Sequence, residues 1–460
     1  MSAPDDGPVV TYYGSRARIR DLFVRCLGVI YAAAFVSLLA QVTLLIGEHG
    51  LLPAGYSDTT LRAGAVVGTL LSVGLAANVA PRYCLAALGL LYWWFVSIGR
   101  DFFFFQWDNL LLESAFFALF VTPGGLRPRD PPSPNPVAVF LMQWLVFRLH
   151  VESGAAKLLV GDPTWRDLTA MVSYYETAPL PAWPGWWVHQ LPVWAHQLCG
   201  LYTYVVELAL PFCLWGPRFL RMPAFVGMIA MQVSIVLTAN YGIFNYLSAA
   251  LCLWMLDDAH LGRFGRATTP PEPPRRATTI VLAAVAAVLV PISVVPFLPF
   301  VEVPRAVARA AAPVGRALNT TRAINAYHLF ASMTLVRRDI VIEGSDDGTT
   351  WKPYELRYKP GDPNHAPPFV APHQPRVDFQ LWFLLLGGRR TAPYFDTLLR
   401  RLREEPATVA PLFARDPFPT DPPRHLRVAV YRYQFTDVAT RRATGAWWRR
   451  ELLGYLPGAG

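Results

Sequence analysis

Pro136 to Trp165 reads P-V-A-V-F-L-M-Q-W-L-V-F-R-L-H-V-E-S-G-A-A-K-L-L-V-G-D-P-T-W, and the fold turns on it. At about 1.5 Å per residue, Val137 to Val160 is long enough to cross a roughly 30 Å hydrocarbon layer. It nevertheless carries Arg148, His150, Glu152 and Lys157. An ionisable group at mid-membrane costs about 2.5–3.5 kcal/mol on insertion scales, so such groups face protein or a wet cavity. Helical spacing sorts them. Arg148 and Glu152 stand four apart and predict an ion pair on one face, while Gln143, His150 and Lys157 recur every seven residues on the other. Ser153 and Gly154 on that second face allow a neighbour to approach the backbone closely. The pair reads as a structural ion pair to another helix; Lys157, near the outer end, reads as snorkelling to the interface or as a working group. His150 reads either as a hydrogen-bonded core histidine or as a functional group.

The whole chain agrees with a membrane setting. It has 460 residues, 53% hydrophobic and 16% charged, with a mean hydropathy of +0.29, the composition of a polytopic membrane protein with a more polar part. The net charge of +9 comes from arginines in short loops and not from a basic face interleaved with aromatics, so no nucleic-acid module is expected. Cys26, Cys84, Cys199, Cys213 and Cys252 all lie in or beside apolar runs. They encode neither a disulfide framework nor a metal site.

The expected fold is mainly α: a bundle of about nine spans over residues 22–300, after a cytoplasmic segment 1–21 and before a small α+β extracytoplasmic domain at 301–460. The spans run Leu22 to Ile46, Leu61 to Val79, Tyr83 to Ile98, Phe105 to Val121, Val137 to Val160, Trp194 to Trp215, Pro223 to Ala239, Ile243 to Leu256 and Thr278 to Pro299. No small-residue cleavage site closes the first run, which is therefore a span and not a removable signal. Arg16, Arg18, Arg20 and Arg25 precede or open it, and Arg82, Arg127, Arg129, Arg218, Arg221, Arg263, Arg266, Arg275 and Arg276 fall in alternate loops. The positive-inside bias puts all of these, with the N-terminus, in the cytoplasm, and an odd span count puts the tail outside.

In the outer loop 161–193, Asp162 followed by Pro163 predicts a capped interfacial helix over Pro163 to Tyr175. Trp183, Trp186 and Trp187 then read as membrane-surface anchors. Asp108, Asn109, Glu113, Glu207, Asn240 and Asn245 add polar groups at depth, either converging with His150 and Lys157 on one pocket or serving as caps and separate pairs. In the tail, Val303 to Ala323 reads as helix, Ile340 to Tyr358 as strand, turn at Ser345 to Gly348, strand, Phe379 to Leu386 and Tyr394 to Glu404 as helices, and Leu426 to Phe435 as strand. No internal repeat or pair of broken helices supports a transporter.

Long motifs, in order along the chain, resemble the lipase maturation factor family: Q-W-D-N-L-L-L-E from Gln106, F-R-L-H-V-E-S-G-A-A-K-L-L-V-G-D-P-T-W-R-D-L-T-A-M from Phe147, Y-Y-E-T-A-P-L-P from Tyr174, L-T-A-N-Y-G-I-F-N from Leu237, and in the tail I-E-G-S-D-D-G-T-T-W, Y-K-P-G-D, A-P-H-Q-P-R-V-D-F-Q-L-W-F and G-A-W-W-R-R-E-L. Val151, Glu152 and Phe379 depart from the family pattern. The resemblance implies a membrane-embedded, chaperone-like factor that helps secreted lipases, or other exported clients, to fold and assemble. Its tail would be lumenal in the endoplasmic reticulum of a eukaryote, or outside the inner membrane of a bacterium. Its partners would be membrane lipid and the client, with no cofactor. Asp162, Trp165, Arg166, Trp382, Trp447 and Trp448 are the client-binding candidates, each set against a role in anchoring or in the tail's own core. S-G-A-A-K-L-L-V-G-D-P-T-W is also similar to the signature of the vitamin K-dependent γ-carboxylase (HTTM-like) superfamily. That likeness implies an alternative, an intramembrane enzyme acting on a quinone or lipid with Lys157 as base and His150, Glu207 and Glu113 relaying the proton.

Overall fold

The computed structural model describes residues 14–129, 131–262, 275–386 and 392–456; Arg263, Arg266 and most of the predicted cytoplasmic segment lie outside them. A helical run stands at each of the nine expected places: Ala17–Leu39, Asp58–Ala76, Pro81–Ile98, Gln106–Ala118, Pro136–Leu159, Val193–Tyr204 with its continuation to Trp215, Arg218–Thr238, Phe244–Cys252 with its continuation to Met255, and Arg276–Val294 with its continuation to Phe300. Local chemistry starts several of them. Ser57 accepts from the Thr60 amide, and Asn135 accepts from the Val137 amide ahead of Pro136 in the first turn. Five runs, Ala17–Leu39, Asp58–Ala76, Val193–Trp215, Arg218–Thr238 and Arg276–Phe300, are long and apolar enough to cross a membrane. Pro136–Leu159 is not among them because it carries the charges that make it interior, and most of it is buried. Arg276–Val294 is its opposite: Ala286 and Ser293 are its buried residues, and Ile280, Val281 and Val288 lie exposed, as on a helix solvated by lipid.

The runs alternate between two ends. At one, Arg16 donates to the Leu256 carbonyl, Arg20 to Pro132 and Arg82 to Thr122, while Arg218 and Arg221 pair with Asp257. At the other sits the C-terminal domain, a five-stranded antiparallel sheet in the order β3-β2-β1-β4-β5, where β1 is Arg337–Ser345, β2 Lys352–Leu356, β3 Phe413–Arg415, β4 His425–Phe435 and β5 Trp448–Tyr455. Helices Arg376–Leu384 and Pro393–Glu404 belong to the same domain, and Arg305–Thr321, with no buried residue, precedes it on the surface. The predicted hairpin and helices of the tail are present. β3 and β5 were not anticipated.

Loop 161–193 departs from expectation. The predicted helix is two, Pro163–Arg166 and Ala170–Thr177, because Leu168 between them has φ of 62°, a left-handed conformation that ends a helix. Trp186 is fully buried against Trp447, with Trp183 and Trp187 about half exposed beside it. At least this tryptophan is a docking contact for the tail and not a membrane anchor.

Candidate functional site

The charges of the central helix resolve into two assemblies. Arg148 donates through Nε to Glu152 Oε1 (2.9 Å) and through Nη1 to Glu113 Oε1 (2.6 Å) on Gln106–Ala118, with the Asn325 carbonyl taking its other Nη2. Glu113 Oε2 in turn accepts from the Asn325 amide (2.8 Å) and the Tyr327 hydroxyl (2.8 Å), and Glu152 Oε2 from the Tyr327 amide (3.0 Å). The expected ion pair is thus half of a closed network that clasps the segment leading into the tail. Every member is buried.

One turn further on, Lys157 Nζ meets both oxygens of Glu207 (2.9 and 2.8 Å) and the Leu329 carbonyl (2.9 Å). Glu207 reaches it from a π-helical turn, Val205–Ala209, one residue wider than an α-turn. Gly154 permits the approach: a Cβ there would stand 2.7 Å from Leu208 and 2.9 Å from Glu207. At 2% exposure Lys157 does not snorkel, contrary to that expectation; its counter-charge lies in the bundle. The expected close approach at Ser153 and Gly154 is present.

His150 completes the second face. Its Nδ1 lies 2.8 Å from the Val146 carbonyl one turn back, and it lines a cavity of about 530 Å³ together with Leu149, Glu207, Phe244, Asn245 and Trp382. A neighbouring cavity of about 520 Å³ lies across Glu207, against Lys157 and Trp165. The polar groups therefore converge only in part. His150, Glu207 and Asn245 share one space, Glu113 belongs to the Arg148 network, and Asp108 is spent elsewhere.

Asp108 holds the tail. Arg376, at the start of its helix in the C-terminal domain, grips Asp108 with two parallel bonds (2.8 and 2.7 Å), donates to the Phe102 carbonyl (2.6 Å) and lies 3.9 Å over the Phe103 ring. Tyr92 donates to the same carboxylate (2.5 Å). Asn240, neither a cap nor a ligand-facing group, accepts from the Val370 and Ala371 amides and donates to the Pro368 carbonyl. Gln41 receives the Arg376 amide and donates to the Gln374 carbonyl. Arg337 donates to the carbonyls of Ala178 and Pro179 in the 161–193 loop. Asp108 on a bundle helix, Gln41 and Asn240 beside helix ends, and carbonyls of the 161–193 loop thus bind the tail as a lid. Arg376, Asn325, Tyr327 and Arg337 were not singled out from sequence; an arginine amid A-P-H-Q-P-R-V-D-F was the available signal, and its partner is 268 residues away.

Most of the client-binding candidates are taken up in packing or hydrogen bonding, the alternative set against each. Trp165 is buried, donating to the Phe330 carbonyl (2.8 Å), and Asp162 caps Thr164 and accepts from the Met333 amide (2.8 Å). Trp448 is buried and stacked on Phe435 at 4.2 Å, Trp382 is buried at the cavity wall, and Trp447 lies between Trp186 and Arg441. Arg166 alone of the six is freely exposed. Trp165 and Trp447 join the tail to the bundle, and Trp448 serves the tail's own core, because large apolar faces are most useful where they are covered.

A polar-cored helix bundle sheathed in apolar helices and capped at one end by an α+β domain is the architecture of a polytopic membrane protein with a docked C-terminal module. The chain belongs to the lipase maturation factor family. Residues 18–57 and 54–263 match the lipase maturation factor transmembrane domain, and residues 323–457 match the lipase maturation factor C-terminal domain. It is 31% identical to chicken lipase maturation factor 2 over 94% of its own length and 80% of the relative's. The figures for human lipase maturation factor 2 are 29%, 94% and 81%, and for bovine lipase maturation factor 1, 29%, 95% and 88%. The chicken alignment runs to 576 positions against 460 residues here, so that relative carries inserted segments. No solved structure matches the chain.

Proposed function

We propose that this chain assists the folding and assembly of exported proteins, lipases among them, with its C-terminal domain on the non-cytosolic face of the membrane. The observation that carries the orientation is the separation of the two ends: the loop arginines gather at one end of the bundle and the domain sits on the other. Cytosolic retention of arginine-rich loops then supports a domain on the outside. Membership of the family supplies the client class.

With Asp162, Trp165 and Trp447 engaged between tail and bundle and Trp448 packed within the tail, β5 is the better place for a client. It is one of the two edge strands of the sheet, and Leu452, Leu453 and Tyr455 on it are 44%, 49% and 48% exposed. An unpaired strand edge with apolar side chains takes an extended segment by main-chain hydrogen bonding, as a chain still folding can offer. The intramembrane-enzyme alternative has no specific observation in its favour. The Lys157 ammonium is held by a carboxylate and a carbonyl, and the four residues of its relay divide between two separate assemblies.

The test is paired. Single cysteines at exposed Leu453 and at Arg127 are labelled with a membrane-impermeant maleimide in intact cells, with labelling of the first and not the second expected. Secreted lipase activity is then compared between cells with and without the chain, and in cells carrying Leu453→Asp. Labelling of Arg127→Cys alone would reverse the orientation; undiminished lipase activity without the chain would remove the client reading.

A further inference from the structure

The His150 cavity has properties that neither client handling nor tail docking uses. The Val146 carbonyl can only accept, so the 2.8 Å contact puts the imidazole proton on Nδ1 and leaves Nε2 with a bare lone pair. His150 is 4% exposed, and its Nε2 has no hydrogen-bond partner among the described residues. A second wall residue, Trp107, is also 4% exposed and carries an indole N–H without a partner among them. Gln106 Oε1 and the Tyr241 hydroxyl, on the same wall, are also without a partner among the described residues, while the Asn245 amide donates to Gln232 (2.8 Å) and Glu207 is neutralised by Lys157. The space therefore presents bare acceptors, bare donors and no net charge. Buried polar groups left like this cost stability unless something fills them.

Much of the remaining lining is apolar, with Leu149, Phe244, Phe330 and Phe379 around it, and so is part of the rim, where Val160, Phe383 and Leu386 are 45%, 43% and 45% exposed. An apolar rim on a membrane bundle admits a molecule from lipid more readily than one from water. At about 530 Å³ the cavity falls within the usual range of roughly 300–1,000 Å³ for small-molecule sites, room for one acyl chain and a small head and not for a two-chain phospholipid. The geometry points to a binding site for a single-chain, uncharged membrane amphiphile of the monoacylglycerol class, its head hydroxyl donating to His150 Nε2 and its chain lying among the phenylalanines. A hydroxyl suits the site because it both donates and accepts, and a charged head is disfavoured because the wall's one carboxylate already has its counter-ion.

This inference needs the cavity alone and is independent of what the client is. Its test uses the purified full chain in lipid nanodiscs with 1-oleoylglycerol bearing a diazirine in the acyl chain, and the same probe with both hydroxyls methylated. Crosslinked peptides should contain Trp107, Phe330 or Trp382, and the methylated probe should label about tenfold less, the factor for one good hydrogen bond. His150→Phe should lower labelling to the same extent at unchanged melting temperature, whereas His150→Gln, which retains an acceptor, restores most of it. If His150→Phe fails to fold, Ser332→Trp at the exposed mouth is read instead and should also reduce labelling. Equal labelling by the two probes, undiminished labelling in the variant that is read, or labelling confined to the outer helix Arg276–Val294 overturns the assignment, the last meaning that the cavity holds only water.

Discussion

Arg148 and His150 stand two residues apart on one helix, both buried, and their surroundings could hardly differ more. Around Arg148 the donors and acceptors close on themselves: guanidinium, two carboxylates, a backbone segment and a phenol. Around His150 the count is left open, with a bare nitrogen facing empty space. Burial of an ionisable residue is therefore a poor guide to its role. Whether the local hydrogen bonding is complete separates a fastener from a candidate binding group.

Breaking the closed face should have the larger effect. Arg148→Met leaves Glu113 and Glu152 in the bundle without a counter-charge, and removing one partner of a buried pair costs about 3–5 kcal/mol. The expected outcome is a sharp loss of folded protein after detergent extraction, followed by size-exclusion and thermal unfolding. Glu113→Gln and Glu152→Gln added together to Arg148→Met should recover part of the loss. A single variant as stable as the parent would show that the network is ornamental and end the contrast.

Lys157→Met should do less harm. Glu207 lines two cavities, so water can take over from the ammonium, as it cannot around Glu113. A double-mutant cycle with Glu207→Gln measures the pair directly: each single variant should be destabilised by less than Arg148→Met, and the double variant should be more stable than Lys157→Met. Equal losses for Lys157→Met and Arg148→Met would show that the cavities do not admit water and that both faces are equally closed.

How legible this was in the sequence follows from the range of each interaction. The helical runs were readable from apolar length, and the Arg148–Glu152 pair from a spacing of four, because both are local. That Arg148 and Lys157 lie on different faces was readable from the helical period. Their remaining partners were not: Glu113 is 35 residues from Arg148, Glu207 is 50 from Lys157, and Arg376 is 268 from Asp108, separations that no periodicity encodes. Trp186 misled for a related reason. Composition says that it prefers an apolar surface, and cannot say whether that surface is lipid or the rest of the chain. β5 escaped notice because W-R-R-E-L-L-G-Y lacks strict alternation, and it is held as a strand by pairing with β4 across a bulge.

The same contrast recurs in the tail, where its effect is readable from pH. Asp108 is saturated by Arg376 and Tyr92, whereas Asp378, two residues beyond Arg376, is buried with one carboxylate oxygen unpartnered among the described residues. Burial pushes its carboxyl up to about 7, against the opposing pull of Lys359 and nearby backbone amides. The folded chain thus keeps a proton that the unfolded chain, with an ordinary aspartate near 4, releases. The stability linked to that proton is complete below about pH 4 and drains away as pH rises to about 7, at no more than about 1.4 kcal/mol per pH unit. Lys359, whose ammonium burial pushes down, acts in the opposite sense, so the informative quantity is the difference from Asp378→Asn, which leaves Lys359 in place. Unfolding of the two proteins followed between pH 4 and 8 should give curves that diverge with rising pH, the asparagine variant holding its stability where the parent loses it. Parallel curves would mean that Asp378 is ionised throughout, with Lys359 as its full counter-charge, and the tail would then hold no incomplete group of the kind found at His150.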